Sequence, residues 1–357
     1  MSRILCIIES LGSGGAERQL TGLAVMLKQK GYEVEVWYYV KSEFYLHFLQ
    51  ENGVVGRYVS SARKSWKRFF SLSINIKSFH PDTIITYSAS PSMISCFLKK
   101  MGARFNLIVS ERSNTQKINI IINARFLLYR WSNHIVPNSY SQGEFIKTNY
   151  PELTTKISVI TNFVDTDKFA PQKVEQNDNN VTRILCVGRM GPEKNITSFI
   201  KTIRLVIDDG YAVTVDWYGQ DLKDDYSLEC NKIIHETKLE NCFTFHNPSN
   251  NIQEEYHKAD VFCLPSLYEG FPNVICEAMS CGRPVLCSRI YDNPNIVSEE
   301  KNGLLFNPKS IDDMVSTIER FIDLPMEKKK EMSENSRKIA VTLFSKEAFI
   351  QKYIDLV

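Results

Sequence analysis

Short apolar runs alternate with segments of helical periodicity along most of this chain. RILCIIES at residues 3–10 and EVEVWYYV at 33–40 each predict a buried strand, and AERQLTGLAVMLKQKG between them predicts an amphipathic helix. TIITYS, FNLIVS, HIVPNS and KISVITN predict further strands, with helical segments between most of them. This βαβ alternation is typical of an α/β protein with a mostly parallel, doubly wound sheet.

The pattern stops and then starts again near the middle of the chain. PQKVEQNDNNV at 171–181 is polar and has no apolar period, which predicts a linker. TRILCVGRM then repeats the first strand and its turn, and VTVDWYG, FTFHN, VFCLPS and PVLCS follow. We therefore predict Rossmann-like domains at 1–170 and 182–335 that face a central cleft, with ligands at the carboxyl ends of the strands. Residues 336–357 predict a C-terminal helix that can cross back to the N-terminal domain.

Composition places the chain among soluble globular proteins. Of its 357 residues, 43% are apolar and 24% are charged, which is enough for two cores. No apolar run approaches the roughly 18 residues of a membrane span, and MSRILCIIES lacks the features of a signal peptide. The nine cysteines include no Cys-x-x-Cys pair, so neither a zinc site nor a disulfide framework is indicated, and a reducing cytoplasm is expected.

Charge is distributed unevenly along the chain. Residues 1–169 hold 21 Lys and Arg against 12 Asp and Glu, whereas the remainder holds 22 against 29. SARKSWKRFFSL at 61–72 concentrates basic and aromatic residues, and its predicted membrane contacts are Arg63, Lys64, Trp66, Lys67 and Arg68. A helix of this composition suits the headgroup region of an anionic membrane, and no nucleic-acid-binding motif accompanies it. The alternative is an exposed helix whose aromatic side chains pack into the core.

Two glycine-containing turns follow predicted strands and open helices. In GSGGAER, Gly14 and Gly15 would let the backbone approach a phosphate, although a tight turn needs glycine for its geometry alone. In VGRMGPEKN, Arg189 and Lys194 lie on what we expect to be a solvent-accessible loop, where two cations suit a diphosphate. Asn195 is the expected cap of the following helix. The alternative for this second turn is a solvated loop with surface charges.

The stretch LPSLYEGFPNVICEAMSCGRPV carries two glutamates around a turn. The segment NVICEAMSC predicts a helix for which Pro272 is the first position. The amides of Asn273 and Val274 would then be free to bind a phosphate. Glu277 follows Asn273 by four residues on the same helix face, about 6 Å along the axis, which suits the ribose of a bound nucleotide. Glu269 lies before the turn, where a donor sugar would be. The alternative for each carboxylate is a capping or surface glutamate.

These motifs, together with VITNFVDTDKF at the domain boundary and NGLLF, resemble the retaining glycosyltransferases of family 4, which have the GT-B fold. The resemblance covers nearly the whole chain. It implies that Arg189 and Lys194 hold the donor diphosphate, while Glu277 binds the ribose and Glu269 the transferred sugar. The donor site that it implies comprises Gly14, Gly15, Arg189, Lys194, Glu269, Gly270, Phe271, Asn273, Val274 and Glu277. It also implies no metal ion and no other cofactor, because Arg, Lys and helix amides neutralise the diphosphate.

The chain departs from the family pattern at three places. Asn162-Phe163 replaces the usual Asn-Gly, and RIYDNPNIV replaces a glycine-rich segment, with Asn295 near the place of its acid. VSERSN lies where many members have a histidine that faces the reacting carbon. Glu111 and Arg112 are therefore candidates for the acceptor side, and Glu111 is also a catalytic candidate. A structural salt bridge is the alternative for this pair.

The resemblance implies transfer of a hexose or N-acetylhexosamine from a nucleotide sugar, with UDP as the expected nucleotide, to a hydroxyl of a glycan acceptor. We expect a lipid-linked acceptor and a peripheral location at the cytoplasmic face of the membrane. Retention without an evident carboxylate nucleophile indicates a same-face substitution, in which the leaving diphosphate helps to deprotonate the acceptor. Two alternatives stay open: a non-catalytic subunit that binds a nucleotide sugar, and a GT-B epimerase or phosphorylase.

Overall fold

A computed structural model describes residues 2–59, 65–112, 115, 117–172 and 181–357, and in the helix that begins at Ser65 it describes side chains from Phe70 onward. The chain forms two compact units. The first unit comprises Met1–Asn162 and Lys346–Val357, and the second comprises Phe163–Ser345.

The first unit is built on a parallel sheet with the strand order β3-β2-β1-β4-β5-β6. Its strands are β1 (Arg3–Ile7), β2 (Glu33–Tyr38), β3 (Val55–Tyr58), β4 (Thr83–Tyr87), β5 (Asn106–Glu111) and β6 (His134–Pro137). Its helices are α1 (Gly15–Gln29), α2 (Leu46–Glu51), α3 (Ser65–Phe79), α4 (Ala89–Lys100), α5 (Ile120–Leu128), α6 (Tyr140–Asn149) and, from the C-terminal end of the chain, α14 (Lys346–Ile354). Because β1 is buried on both faces, its apolar run is continuous.

The second unit repeats this arrangement, with the strand order β12-β11-β10-β7-β8-β9. Its strands are β7 (Thr182–Val187), β8 (Val213–Tyr218), β9 (Phe243–His246), β10 (Val261–Leu264), β11 (Val285–Ser288) and β12 (Gly303–Phe306). Its helices are α7 (Ile196–Asp208), α8 (Asp225–Glu236), α9 (Ile252–Lys258), α10 (Asn273–Ser280), α11 (Asn293–Ile296), α12 (Ile311–Ile322) and α13 (Met326–Phe344). In both units the first strand lies at the point where the strand order reverses, which confirms the predicted doubly wound fold class.

The unit boundary lies at Asn162 rather than at residue 170. The reason is that the segment after Asn162 packs with the second unit: the amide of Val164 donates to the carbonyl of Phe344 at 2.8 Å, and the Phe169 side chain is buried in that core. Of the predicted linker at 171–181, residues 173–180 lie outside the described residues.

Two strand predictions differ from the structure. KISVITN forms an isolated bridge to β6 instead of a strand. The amides of Ser158 and Ile160 donate to carbonyls of β6 at 3.0 and 3.1 Å. Conversely, β3 was not predicted from the sequence. This strand lies at the sheet edge and is largely exposed, so it carries no run of apolar residues.

The C-terminal segment forms two helices instead of the single helix predicted at 336–357. Helix α13 ends at Phe344 within the second unit, and α14 belongs to the first. The hydroxyl of Tyr353 on α14 lies 2.8 Å from that of Tyr87, and both residues are buried. The side-chain amide of Asn106 donates to the carbonyl of Leu356 at 2.6 Å. These bonds fix the end of the chain on the first sheet.

Candidate functional site

Three loops of the second unit meet at the carboxyl edge of its sheet. Strand β10 pairs in parallel with β7 on one side, through Phe262 and Leu185, and with β11 on the other, through Leu264 and Cys287. The loops that follow these strands are therefore neighbours, and they comprise 188–195, 265–272 and 289–292. Arg189 and Lys194 lie in the first of these loops and Glu269 in the second, while the third is the beginning of RIYDNPNIV.

The loop after β7 is shaped by a close approach of backbone segments. The indole nitrogen of Trp217 donates to the carbonyl of Gly188 at 2.7 Å, and a Cβ placed on Gly188 would lie 3.1 Å from Cε of Lys194. A glycine at 188 therefore lets the Lys194 side chain lie across the strand end. Asn195 occupies the N-cap position of α7, but its side chain makes no capping bond there; instead its amide group donates to the carbonyl of Pro308 at 2.8 Å.

Lys194 and Glu269, which are 75 positions apart in the sequence, form an ion pair. Nζ of Lys194 lies 2.6 Å from Oε1 of Glu269, and the hydroxyl of Ser266 donates to the same oxygen at 2.6 Å. Only 14% of the Lys194 side chain and 11% of the Glu269 side chain are exposed. The expectation of a solvent-accessible Lys194 is therefore wrong. This cation is largely enclosed because the β7 and β10 loops pack against each other.

Arg189 differs from Lys194, since 62% of its side chain is exposed. Its Nε donates to Oε1 of Glu193 at 2.7 Å. Partial burial raises the pKa of Glu193, but the bond from Arg189, a backbone bond and the charges of Arg189 and Lys194 outweigh it, so the pKa lies below its ordinary value. The carbonyl of Glu193 accepts from the amide of Leu267 at 2.8 Å, which ties the β7 loop to the β10 loop.

The turn before α10 is tighter than the sequence predicted. Pro272 is the N-cap, not the first helical residue, and α10 begins at Asn273. The amide of Asn273 donates to the carbonyl of Phe271 at 3.0 Å, so it is not free, whereas the sequence analysis expected a free amide there. Val274 is the second residue of the helix, and the free amide expected there stays a prediction. Gly270 has open space where a Cβ would be, and Phe271 is buried against the ring of Phe344.

Glu277 is a buried carboxylate on α10, with 6% of the residue exposed. The hydroxyl of Tyr256 on α9 lies 3.4 Å from Oε2 of Glu277 and 3.2 Å from the carbonyl oxygen of Val274. A buried carboxylate is costly unless polar groups compensate it. Glu277, the predicted ribose ligand, is therefore a charged residue among apolar neighbours on α10, with the hydroxyl of Tyr256 as a polar neighbour.

In the first unit, Gly14 is the N-cap of α1 and Gly15 its first residue. The carboxylate of Glu17 folds back over this end of the helix, where its Oε1 accepts from the hydroxyl of Ser10 at 3.0 Å. A Cβ on Gly14 would meet the end of this carboxylate, which belongs to a flexible side chain that can move aside. The backbone at Gly14 is extended, with a φ of −75°, so the turn geometry proposed as the alternative does not require glycine at this position. Phosphate binding here stays a prediction.

Glu111 is buried and makes the contacts of a structural ion pair. Its Oε2 lies 3.2 Å from Nη2 of Arg125, and its Oε1 accepts from the hydroxyl of Tyr129 at 2.5 Å. Burial raises the pKa of Glu111 above its ordinary value, although the charge of Arg125 and the bond from Tyr129 act to lower it. Arg112 stacks on the ring of Tyr87 at 4.5 Å and donates to the side chain of Asn162. Glu111 is thus in a structural salt bridge, but its partner is Arg125 and not Arg112 as the alternative had it.

The predicted membrane contacts are not tested by the structure. Arg63 and Lys64 lie outside the described residues, and so do the side chains of Trp66, Lys67 and Arg68, although the last three belong to α3. None of the helices in the described part of the chain has both the length and the hydropathy to cross a membrane.

Several residues of the site were missed by sequence reasoning. Glu193 lies four positions after Arg189, and Ser266 three before Glu269, so opposite charge or polarity at short spacing could have identified both. The contact of Tyr256 with Glu277 had no such signal, because it depends on how α9 packs on α10.

Two family models match adjoining parts of the chain. Residues 13–168 match Glycosyltransferase Family 4, and residues 167–339 match Glycosyl transferases group 1. The second match begins close to the observed unit boundary and contains all of the loops described above.

Characterised relatives and a solved structure agree with these matches. An Escherichia coli enzyme, UDP-Gal:alpha-D-GlcNAc-diphosphoundecaprenol alpha-1,3-galactosyltransferase, is 31% identical over 57% of this chain and 55% of its own length. A Campylobacter jejuni enzyme, N-acetylgalactosamine-N,N'-diacetylbacillosaminyl-diphospho-undecaprenol 4-alpha-N-acetylgalactosaminyltransferase, is 26% identical over 81% of each chain. Anabaena Alr3699/HepE, solved in complex with UDP, superposes with a TM-score of 0.86 at 18% identity over 99% of each chain, which shows the fold. The chain therefore belongs to the family 4 glycosyltransferases and has their GT-B fold.

Proposed function

We propose that this protein transfers a hexose or N-acetylhexosamine from a UDP-sugar to a hydroxyl of a lipid-linked glycan, with retention of configuration and without a metal ion. The observation that carries the proposal is that Arg189, the Lys194–Glu269 pair and Glu277 lie on two neighbouring loops and on the helix that follows the second of them. Cations and carboxylates placed in this way suit the diphosphate and the two sugars of one nucleotide sugar.

The names of the relatives support the choice of substrates. The Escherichia coli relative is named for a UDP-sugar donor and for an acceptor sugar on diphosphoundecaprenol, and the Campylobacter jejuni relative for an acceptor on the same lipid diphosphate. Since both relatives add an α-linked hexose or N-acetylhexosamine, we assign the same classes of donor and acceptor to this chain.

Each side chain has a role in this proposal. Glu277 accepts hydrogen bonds from the ribose hydroxyls, and Glu269 from hydroxyls of the transferred sugar. Lys194 and Arg189 neutralise the diphosphate, where negative charge grows as the leaving group departs. Because Lys194 is held by Glu269, the donor meets a cation whose position is already fixed, and fixing such groups in advance lowers the cost of reaching the transition state.

In the proposed reaction, the acceptor hydroxyl oxygen bonds to the anomeric carbon on the face that the diphosphate leaves. The bond between that carbon and the phosphate oxygen breaks, and its electron pair stays on the phosphate. The proton of the acceptor hydroxyl passes to the departing phosphate oxygen. The products are the extended glycan and UDP, and transfer should persist in a chelator because protein cations do the neutralising.

We also propose that the first unit binds the cytoplasmic face of a membrane. Phe70 and Ile74 on α3 are 57% and 67% exposed, and with Phe97 of α4 and Met101 just after it they line an open groove of about 710 Å³. Its rim includes Lys77. The exposed side chains of Phe70 and Ile74 belong to a helix whose first turn carries basic residues in the sequence, a combination that suits contact with lipid. They argue against the alternative in which all of the aromatic side chains pack into the core.

The membrane proposal is tested by sedimentation with anionic vesicles. Replacing Lys64, Lys67 and Arg68 with Ser should release the protein while UDP binding is retained, since each basic residue near the surface contributes about 1 kcal/mol. Raising the salt concentration should weaken binding of the wild type. Equal partition of the wild type and the triple variant would contradict the assigned contacts.

The catalytic proposal is tested by mixing the purified protein with a panel of UDP-sugars and a lipid diphosphate-linked saccharide. Release of UDP with a matching gain in acceptor mass, and an α linkage in the product, is the expected result. Donor binding without turnover would indicate a non-catalytic subunit. Interconversion of the UDP-sugar itself would indicate an epimerase, and phosphate-dependent cleavage of glycan a phosphorylase.

A further inference from the structure

We infer that Tyr268 and Tyr291 form a contact surface for the transferred sugar and thereby select which donor sugar is accepted. The inference rests on the proposed function and adds to it two residues that no motif assigned. Tyr268 precedes Glu269 in the β10 loop, and Tyr291 lies in the loop after β11. These loops are neighbours, because Leu264 and Cys287 at the strand ends are paired in the sheet.

The two rings touch each other edge to face. Their centroids are 5.1 Å apart and their planes are inclined by 78°. The pair therefore bridges the β10 and β11 loops next to Glu269. Tyr291 is 42% exposed, so that a substantial part of its ring faces outward. One side of a pyranose carries C–H bonds, and an aromatic ring offers such a side a flat apolar partner with a polar tip.

The backbone at Tyr291 is in an unfavourable conformation. Its φ is +44°, in the left-handed region that bulky residues rarely adopt. The chain holds it there from both sides. The amide of Ile290 donates to the carbonyl of Ser288 at 2.9 Å, and the amide of Asn293 to the carbonyl of Ile290 at 3.0 Å.

The base of this loop is also fixed by a buried side chain. Asn293 is fully buried, and its side-chain amide donates to the carbonyl of Ser288 at 2.8 Å. A glycine would meet the backbone requirement at 291 without strain. The presence of a tyrosine instead places a large ring beside Glu269. Strained backbone conformations that neighbouring contacts hold in place cluster at ligand-binding positions, which is consistent with a binding role for Tyr291.

The hydroxyl of Tyr291 can add selectivity to the ring contact. Burial, and then the nearby Tyr268, raise the pKa of Tyr291 above its ordinary value. The hydroxyl therefore stays protonated at neutral pH, and it can both donate to and accept from a sugar hydroxyl or an acetamido group. Ring contact supports affinity for any pyranose, whereas the hydroxyl distinguishes sugars by the orientation of their own hydroxyls.

The inference is tested with Tyr291→Gly and Tyr291→Asn, since both residues accept a positive φ. Lys238→Gly is the matched control: Lys238 is exposed, has φ +54° and lies after α8, away from the three loops. Calorimetry would give the affinities of each protein for UDP and for a panel of UDP-hexoses and UDP-N-acetylhexosamines. Tyr291→Phe separates the contribution of the hydroxyl from that of the ring.

We expect Tyr291→Gly and Tyr291→Asn to bind UDP within about two-fold of wild type, but the best UDP-sugar about ten-fold more weakly and with less preference among sugars. Tyr291→Phe should keep the affinity and lose part of the preference, and Lys238→Gly should change neither. An unchanged ratio of UDP-sugar to UDP affinity in the first two variants, or the same change in Lys238→Gly, would overturn the inference. A wild type that fails to bind UDP would instead overturn the proposed function.

Discussion

Replacing Glu277 with Ala should weaken binding of UDP and of UDP-sugars by the same factor, because the ribose is common to both. A hydrogen bond to a charged group contributes about 1.5–3 kcal/mol, so the dissociation constants should rise about 10- to 140-fold. Glu277→Gln, which keeps the shape and loses the charge, should show a smaller rise. The fold should tolerate the change, since the hydroxyl of Tyr256 keeps the carbonyl of Val274 at 3.2 Å.

Glu269→Ala is the matched control, because it removes the other carboxylate of the same motif. It should lower the affinity for the UDP-sugar and the rate of transfer by about 1.5–3 kcal/mol. UDP affinity should fall by a smaller factor than in Glu277→Ala, because UDP loses only the fixed position of Lys194. Calorimetry with UDP and with one UDP-sugar on the wild type and both variants gives the six constants needed. Unchanged UDP affinity in a folded Glu277→Ala protein would refute the ribose assignment, and so would an equal loss in both variants.

Three further predictions concern stability and pH. Lys194→Ala should lower the free energy of unfolding by about 1–3 kcal/mol, which lies between the values for exposed and for buried ion pairs. Arg189→Ala should lower it by less than about 0.5 kcal/mol. Equilibrium urea unfolding measures both losses, and equal losses would contradict the burial of Lys194. Tyr353→Phe should lower the free energy of unfolding by about 1–2 kcal/mol, because the buried hydroxyl of Tyr87 loses its partner. Adding Tyr87→Phe should recover most of this loss in a double-mutant cycle. Additive losses in the two single variants would refute the pairing. Because the pKa of Glu111 is raised in the folded protein, the folded state binds this proton more readily than the unfolded state. The stability of the wild type relative to Glu111→Gln should therefore fall as the pH rises from about 4. Thermal unfolding over a pH series measures this difference, and a stability difference that grew with pH would contradict the prediction.

The sequence was most informative where residues are buried on both sides of the sheet. The runs at β1 and β7 carry consecutive apolar residues, because helices cover both faces of a parallel sheet. The same rule explains the failures. Strand β3 is exposed at an edge and lacks the pattern, whereas KISVITN has the pattern because it packs beside β6 without joining the sheet. Apolar periodicity reports burial, and it reports hydrogen bonding only indirectly.

The candidate site was predictable in its residue types and less so in its contacts. Motif spacing identified Lys194 and Glu269, but their pairing depends on β10 lying next to β7, which the order of motifs along the chain does not specify. In the same way, Glu111 is neutralised by Arg125 from α5, fourteen positions later. Spacing specifies partners within one turn or helix, whereas partners from other elements follow from strand order and helix packing.

The position of α14 gives the two units an unusual order of completion during synthesis. The sheet of the first unit ends at β6, yet α14, which packs against α1 and supplies Tyr353, is made only after the whole of the second unit. At about 5–20 residues per second, the ribosome needs roughly 10–40 s to pass from Asn162 to Lys346. At the end of this interval the second unit has been synthesised in full, while the first still lacks a piece of its surface. The unit whose synthesis begins first is therefore completed only after the other has been made.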